Sequence, residues 1–374
     1  AIAECAKEAK QVLLLTATPI VNKNSDIIAQ VKLIKDVDWI HDYHLNINKP
    51  SKVRIRELFD CKVSIFTPNE SERQKYFPKV FRKVEKFKMS PSYYEKYTNV
   101  EQNNLDEQLK NALGKKKSAG KSQHQIIEDL NPTSFYNGVR RGSNSLEGIN
   151  SPKIKWIIKL IKDGDQDGED DKFNRKFVIF SHFLDAGSKV LIEALEKEGI
   201  PYGEINGSMT KKKREEVVKN YVGGSIDVII ISQAGAEGLN LKNTGHLVIM
   251  EPAWNETLID QVIGRAVRFK GHEDSAPSKR NVKIHQLLLL KPKEYEKDGI
   301  LDRSSQRRMS IDLYLYLYSL EKQRKLDKFF KKIRKYARQI EDPSCKEEPK
   351  PKSKKSKKRE SDDESDSDSD SDSD

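Results

Sequence analysis

The stretch Asp227-Val-Ile-Ile-Ile-Ser-Gln-Ala-Gly-Ala-Glu-Gly-Leu-Asn240 decides the fold class. Val228 to Ile231 form an apolar β-branched run with no polar break, which suits a strand buried on both faces of a parallel sheet. Working outward, similar runs stand at Lys176-Phe-Val-Ile-Phe-Ser181, at Tyr202 to Ile205 ahead of Asn206-Gly207, at His246 to Met250 and at Val282 to Leu290. Between them lie helical patterns: Lys153 to Ile161 with Ile154, Ile157, Ile158 and Ile161 on one side, Ala186 to Leu195, Lys211 to Tyr221 behind a Thr210 cap, and Asn255 to Ile263. Strands alternating with 10-to-15-residue helices predict an α/β domain, a parallel sheet with helices on both faces. Ligands in such sheets sit at the carboxyl ends of the strands, so the residues just after each strand are the ones to inspect.

The 374-residue chain carries 69 Lys and Arg against 58 Asp and Glu, a net charge of +11. Residues 346–374, with 8 basic and 11 acidic side chains, contribute −3 of this and leave +14 on residues 1–345. A body that basic suggests a polyanionic partner. The tail reads Lys-Ser-Lys-Lys-Ser-Lys-Lys-Arg359 and then fifteen residues of Glu, Ser and Asp; with nothing apolar to bury, 342–374 is expected to be disordered. Its basic half reads equally as a nuclear-import or nucleic-acid patch and as a solvated spacer. Its serines stand in an acidophilic-kinase context. No apolar run approaches the ~20 residues of a membrane span, and no secretory leader is visible. Cys5, Cys61 and Cys345 are far apart with no CxxC pair, so neither a disulfide framework nor a zinc site is expected, and a reducing compartment is the default.

Towards the N-terminus, Gln11 to Leu15 reads as a further buried strand, ended by Thr16-Ala-Thr-Pro19. Residues 99–150 contain LGKKKSAGKSQ and RRGSNSLEG and read as a low-complexity insert or linker. Ser310 to Glu341 reads as one long helix, with an apolar stripe for packing and nine Lys or Arg between Lys322 and Arg338. The expected organisation is therefore 1–98, the insert 99–150, the regular α/β unit 151–303, a basic helix 304–341 and the tail 342–374.

The most specific motif is Gln261-Val-Ile-Gly-Arg-Ala-Val-Arg268. On a helix, Gln261, Gly264, Arg265 and Arg268 share a face. Gly264 removes a Cβ where something must approach, and two arginines a turn apart suit phosphate oxygens. This segment resembles motif VI of superfamily-2 helicases and translocases. Ser232 to Asn240 resembles motif V, Thr16-Ala-Thr18 resembles motif III, and the strand ending in Ser181 with Asn206-Gly207-Ser208 resembles motif IV and its sequel. TATPIVN, INGSMTKKKREEVV and EPAWNETLIDQVIGRAVR look like the SNF2-like branch, although Val267 stands where that branch usually carries His. FKGHED, HQLLLLKPK and SIDLYLYLYSLEKQRKLDKF are similar to helicases of nucleocytoplasmic large DNA viruses, of the poxviral early transcription factor small subunit and nucleoside triphosphatase types.

The resemblance implies a RecA-like C-terminal lobe over 151–303, preceded within 1–98 by the end of a first RecA-like lobe. It implies a two-lobe, ATP-dependent motor on nucleic acid, with double-stranded DNA as the expected substrate and viral transcription or DNA remodelling as the setting. Arg265 and Arg268 would be arginine fingers, with Gln261 beside them. Gly238, Asn240, Gly264 and Glu237 would line the nucleotide, with Glu237 a candidate partner of Arg265. Ser232, Gln233, His182, Asn206 and Gly207 would follow the nucleic-acid backbone, and Thr16 and Thr18 would couple the two. ATP and Mg²⁺ would need a Walker A lysine and a DExH pair from the first lobe. Neither is found here: Gly114-Lys-Lys-Lys-Ser-Ala-Gly-Lys-Ser122 has five residues between its glycines and follows no strand. The expectation is a C-terminal piece of a longer protein, inactive by itself, with no metal ligands of its own. Expected partners are nucleic acid and transcription-complex subunits, not a membrane. The expected location is intracellular: nucleus, virion or viral factory. The alternative from another class is a non-catalytic helicase-like scaffold in a transcription complex. Trp254, His246 and Tyr93, Tyr94 and Tyr97 read as packing residues.

Overall fold

The computed structural model describes residues 2–16, 19–20, 26–34, 52–66, 69–113, 137–164, 175–235, 238–292 and 309–346. Its helices are α1 (Ile2–Glu8), α2 (Asp26–Ile34), α3 (Lys52–Phe59), α4 (Glu70–Tyr76), α5 (Pro91–Leu113), α6 (Asn137–Ser145), α7 (Pro152–Asp163), α8 (Lys189–Lys197), α9 (Lys211–Gly223), α10 (Glu256–Ala266) and α11 (Ile311–Tyr336). Its strands are β1 (Lys79–Lys88), β2 (Phe177–Ser181), β3 (Tyr202–Ile205), β4 (Val228–Ser232), β5 (His246–Ile249) and β6 (Asn281–Leu290). Thr18, Glu237, the Gly114–Ser122 run and the acidic tail lie outside the described residues.

The six strands form one parallel sheet in the order β1-β6-β5-β2-β4-β3. The β-branched runs lie at its centre, where neither face meets water. Alternate residues feed opposite layers. Val178, Phe180, Ile229, Ile231, Leu247 and Ile249 pack with Tyr221 of α9 and Ile259, Val262 and Ile263 of α10. Phe177, Ile179, Val228, Ile230 and Val248 pack with Ile154, Ile157 and Leu160 of α7 and Leu191 and Leu195 of α8. Thr210 and Asn255 cap α9 and α10 through their side-chain oxygens, each worth about 1 kcal/mol.

Four expectations are corrected. β1 runs beside β6 in register from Lys79↔Asn281 to Lys88↔Leu290, so 79–88 belongs to this sheet and not to an earlier lobe. Six of its ten residues are charged, which hides the apolar alternation but suits an edge strand that must not recruit a further partner. The 137–150 part of the expected linker is a core element: Val139, Ser143 and Asn144 are fully buried. Gln11 to Leu15 is not a strand; Leu13 is 76% and Leu15 85% exposed, and no described strand pairs with it. Cys61 and Cys345 form a disulfide across a Cα–Cα distance of 5.4 Å. Their separation in sequence conceals that α3 packs on the far end of α11, where Ile55, Leu58 and Phe59 meet Leu326, Phe329 and Ile333. Arg338 adds a two-pronged ion pair to Asp60 there, which holds the Asp60 carboxyl below its ordinary range.

The near half of α11 is anchored by charge. Ser310 caps it by accepting from the Leu313 amide. Asp312, buried, accepts from the Leu289 amide at 2.9 Å and Ser143 Oγ at 2.9 Å, and pairs with Lys153 Nζ at 2.6 Å. Lys153 is fully buried and also donates to the Met250 carbonyl and Asn144 Oδ1. Breaking a buried pair strands one charge without a partner, at a cost of about 3–5 kcal/mol. Asp312→Ala should therefore lower the urea unfolding free energy by about that much, while the paired Lys153→Met/Asp312→Leu variant loses much less. Equal losses in the two would show that the charge pairing is not what the site requires.

Candidate functional site

Three strands end at one rim. β2 ends at Ser181, followed by His182. Glu251, fully buried just after β5, accepts from Ser181 Oγ at 2.9 Å, from Asn144 Nδ2 at 3.0 Å and from the His182 amide. One carboxylate thus fixes the ends of β2 and β5 against α6. The chain after His182 makes one π turn, Leu184–Ser188, before α8. A Cβ at Gly187 would lie 2.0 Å from Ser181 Oγ, so only glycine lets that turn close on the strand end. Arg140, buried, donates to the Pro252 carbonyl and lies over the Phe183 ring at 5.0 Å. Burial lowers its guanidinium's pKa against the opposing pull of Glu251 and Asp312.

The loops after β3 and β4 are fitted together. Asn206 Oδ1 accepts from the Ser208 amide and hydroxyl, closing a tight turn that leaves Gly207 exposed. Ser232 Oγ accepts from the Gly235 amide. A Cβ at Gly235 would stand 2.2 Å from the Ile205 carbonyl oxygen, and one at Gly207 2.9 Å from Ala234 Cβ. The two turns can touch because both positions are glycine. Asn206, Gly207, Ser232 and Gln233 are thereby brought together beside His182, on the adjoining strand end. A cleft of about 480 Å³ lined by Asn206, Ser208, Thr210 and Lys213 flanks them.

The second cluster lies along α10. Gln261 is exposed and Gly264 faces open space. The helix ends at Ala266 with Val267 extended, so Arg268 is not on the helix as its spacing predicts. Its Nε instead caps the helix end by donating to the Gly264 carbonyl at 3.0 Å. Arg268 remains beside Arg265: burial first, then the positive charge of Arg265, pulls its guanidinium below the ordinary range. Among the described residues neither arginine has a carboxylate partner within salt-bridge distance, and Arg265 Nε is covered without an acceptor. The Leu241 amide donates to the Arg265 carbonyl, which lays the segment carrying Gly238 and Asn240, both exposed, along the same helix. Gly238 has φ +73°, a left-handed conformation that favours glycine.

Thr16 is exposed on the segment between α1 and α2, and none of these contacts involves it. Trp254 packs edge-to-face on Tyr318. The Tyr93 and Tyr97 hydroxyls bond the Gly142 carbonyl and the Ile311 amide. Sequence reasoning missed Glu251, Asn144, Lys153 and Arg140. The available signal was a carboxylate placed directly after an unbroken apolar strand, where a charge must be partnered. Among the described residues no group of three or more acidic, His or Cys side chains could hold a metal ion.

Comparison with known proteins finds relatives of this chain. Residues 148–270 match the helicase conserved C-terminal domain. A protein of Acanthamoeba polyphaga mimivirus with the provisional name ATP-dependent RNA helicase is 30% identical over 330 residues, covering 81% of this chain and 68% of that protein. Nucleoside triphosphatase I of Melanoplus sanguinipes entomopoxvirus is 36% identical over 69 residues, 18% of this chain and 11% of that protein. Among solved structures, the C-terminal part of the Fun30 ATPase domain aligns over 68% of this chain and 99% of its own, with a TM-score of 0.43 and 15% identity.

Two covered imidazoles give the fold a pH dependence. Burial lowers the pKa of His182, whose Nε2 is enclosed, and of His272, which bonds the Thr244 carbonyl. Each therefore binds its proton more readily when unfolded, so stability is whole above the ordinary histidine value of about 6.5 and falls as the pH drops below it. The urea midpoint should fall between pH 7.5 and 5.5, and the His182→Gln/His272→Gln variant should flatten that slope. An unchanged slope would assign the dependence elsewhere.

Proposed function

Because the chain belongs to the family of helicases that carry this conserved C-terminal domain, we propose that it forms the second lobe of a two-lobe motor driven by ATP along double-stranded DNA. The observation that carries this reading is the Arg265–Arg268 pair, two neighbouring guanidinium groups with no carboxylate within salt-bridge distance among the described residues. A phosphate group offers the geometry that guanidinium forks bind best. The donor set fits a triphosphate: Arg265 and Arg268 would hold phosphate oxygens, with Gln261, Gly264, Gly238 and Asn240 along the same strip. Bound ATP supplies the phosphoryl group whose transfer drives movement. The two arginines would offset the charge spread over the transferring oxygens, an effect of order 10³ to 10⁵ in rate. Mg²⁺ and the remaining phosphate contacts are assigned to a first lobe.

The nucleic-acid strand is assigned to the rim formed by His182, Asn206, Gly207, Ser232 and Gln233. Short polar side chains and exposed turns there suit backbone contacts that hold a strand without reading its sequence. The exposed lysines and arginines on the far half of α11 would add a salt-dependent attraction. Viral transcription or DNA remodelling is the proposed setting, with the chain working inside the cell. The mimivirus relative's name points to RNA, so the binding assay carries duplexes of both kinds.

In the full-length protein, Arg265→Ala and Arg268→Ala should each cut nucleic-acid-stimulated ATPase by about a hundredfold or more, while duplex binding stays within about twofold. Near-normal turnover in both variants would sink the finger assignment.

A further inference from the structure

Directly beyond Arg268 the surface changes character. Phe269 is 57% exposed. Its ring lies 4.9 Å from that of Tyr76, tilted by 41°, and 6.0 Å from that of Phe77. Lysines border the rings: Lys75 Nζ is 5.0 Å from the Tyr76 centroid, and Lys270 Nζ is 6.0 Å from Tyr76 and 5.8 Å from Phe269. Glu273 pairs with Lys270 at 3.4 Å. The arrangement is built. The Lys270 amide donates to the Tyr76 carbonyl at 2.7 Å, and Lys270 takes a φ of +56°, a left-handed conformation rare outside glycine. Such strain persists only where the surroundings enforce it. Here α4 and the turn after α10, far apart in sequence, are pinned so that their rings meet.

We propose that the Tyr76–Phe269 ring pair is a stacking site for the purine base of the nucleoside triphosphate whose phosphates Arg265 and Arg268 hold. Exposed aromatic rings bordered by cations are what a nucleobase with an attached phosphate chain requires: a π-face for the ring and positive charge for the oxygens. The position selects the nucleotide over the strand. Pro78 and Lys79 lead directly from the rings into the start of β1, beside the start of β6. The rings thus lie at the opposite end of the sheet from the rim of His182, Asn206 and Ser232, yet one residue from Arg268. The assignment rests on the arginine pair as the phosphate site, and it adds base selection by this lobe.

The test uses the whole 374-residue chain with three probes: adenosine, inorganic tripolyphosphate and a single-stranded oligothymidylate. Saturation-transfer NMR should show contact between the protein and the adenine H2 and H8 protons of millimolar adenosine. Phe269→Ala, at an exposed position that the fold tolerates, should weaken adenosine binding about tenfold, with Phe269→Tyr retaining it. Tripolyphosphate binding should be unchanged in Phe269→Ala and lost in Arg265→Ala/Arg268→Ala. No adenine signal from the unmodified chain, or one that Phe269→Ala leaves intact, overturns the stacking site. Weakened oligothymidylate binding with adenosine binding unchanged overturns it in favour of a strand base. Tripolyphosphate binding that survives the double arginine variant overturns the phosphate site, and the stacking assignment with it.

Discussion

Four charges sealed under the rim of a parallel sheet set the conditions for everything above them. Lys153, Asp312 and Glu251 are fully buried and Arg140 nearly so. They balance, two positive against two negative. Each is joined to a different element: α7, α11, the end of β5 and α6. Isolated burial of any one would be prohibitive, so the elements that carry them have to assemble together. Asn144 is the connector, donating to Glu251 and accepting from Lys153. Through it, the helix after the long polar segment, the first helix of the α/β unit and the long basic helix share one set of bonds with the strand end that carries His182.

This arrangement explains what was legible in the sequence and what was not. β2, β4 and β5 could be read directly, because a strand buried on both faces writes itself as an unbroken apolar run. β1 could not, because an edge strand spends its surface on charge and leaves only Val80, Phe81, Val84 and Phe87 as scattered apolar marks. The segment Asn137 to Ser145 reads as solvent-loving, since Arg, Ser and Asn usually are. It is buried because Arg140, Ser143 and Asn144 find partners in Pro252, Asp312, Glu251 and Lys153, and pairings of that kind carry no local signature. The Cys61–Cys345 bond was hidden in the same way, by a contact between α3 and α11 that sequence distance does not reveal.

The candidate site divides similarly. Spacing placed Arg265 and Arg268 together, and they are together, although the helix stops at Ala266 and Arg268 arrives by capping it. Loop composition marked Asn206, Gly207 and Ser232. Their contact depends on Gly207 and on Gly235, a glycine whose need appears only when the Ile205 carbonyl is seen beneath it. The reading as a motor lobe therefore stands on two groups of residues with different chemistry. One is the Arg265–Arg268 pair at the end of α10, without a carboxylate partner among the described residues; the other is a rim of small polar turns beside the His182 strand end, which Glu251 holds. A two-lobe motor needs both on one body, so that a change at the nucleotide can be felt at the strand.

The most direct measurement is amide hydrogen–deuterium exchange of this chain with and without saturating duplex DNA, in low and in high salt. The account predicts slowed exchange at His182, at 206–208 and at 232–235, reversed by salt. The amides of β5 and β6 beneath should be unchanged. Exchange that stays the same in all three rim segments at saturating duplex, or protection confined to other parts of the surface, would contradict it.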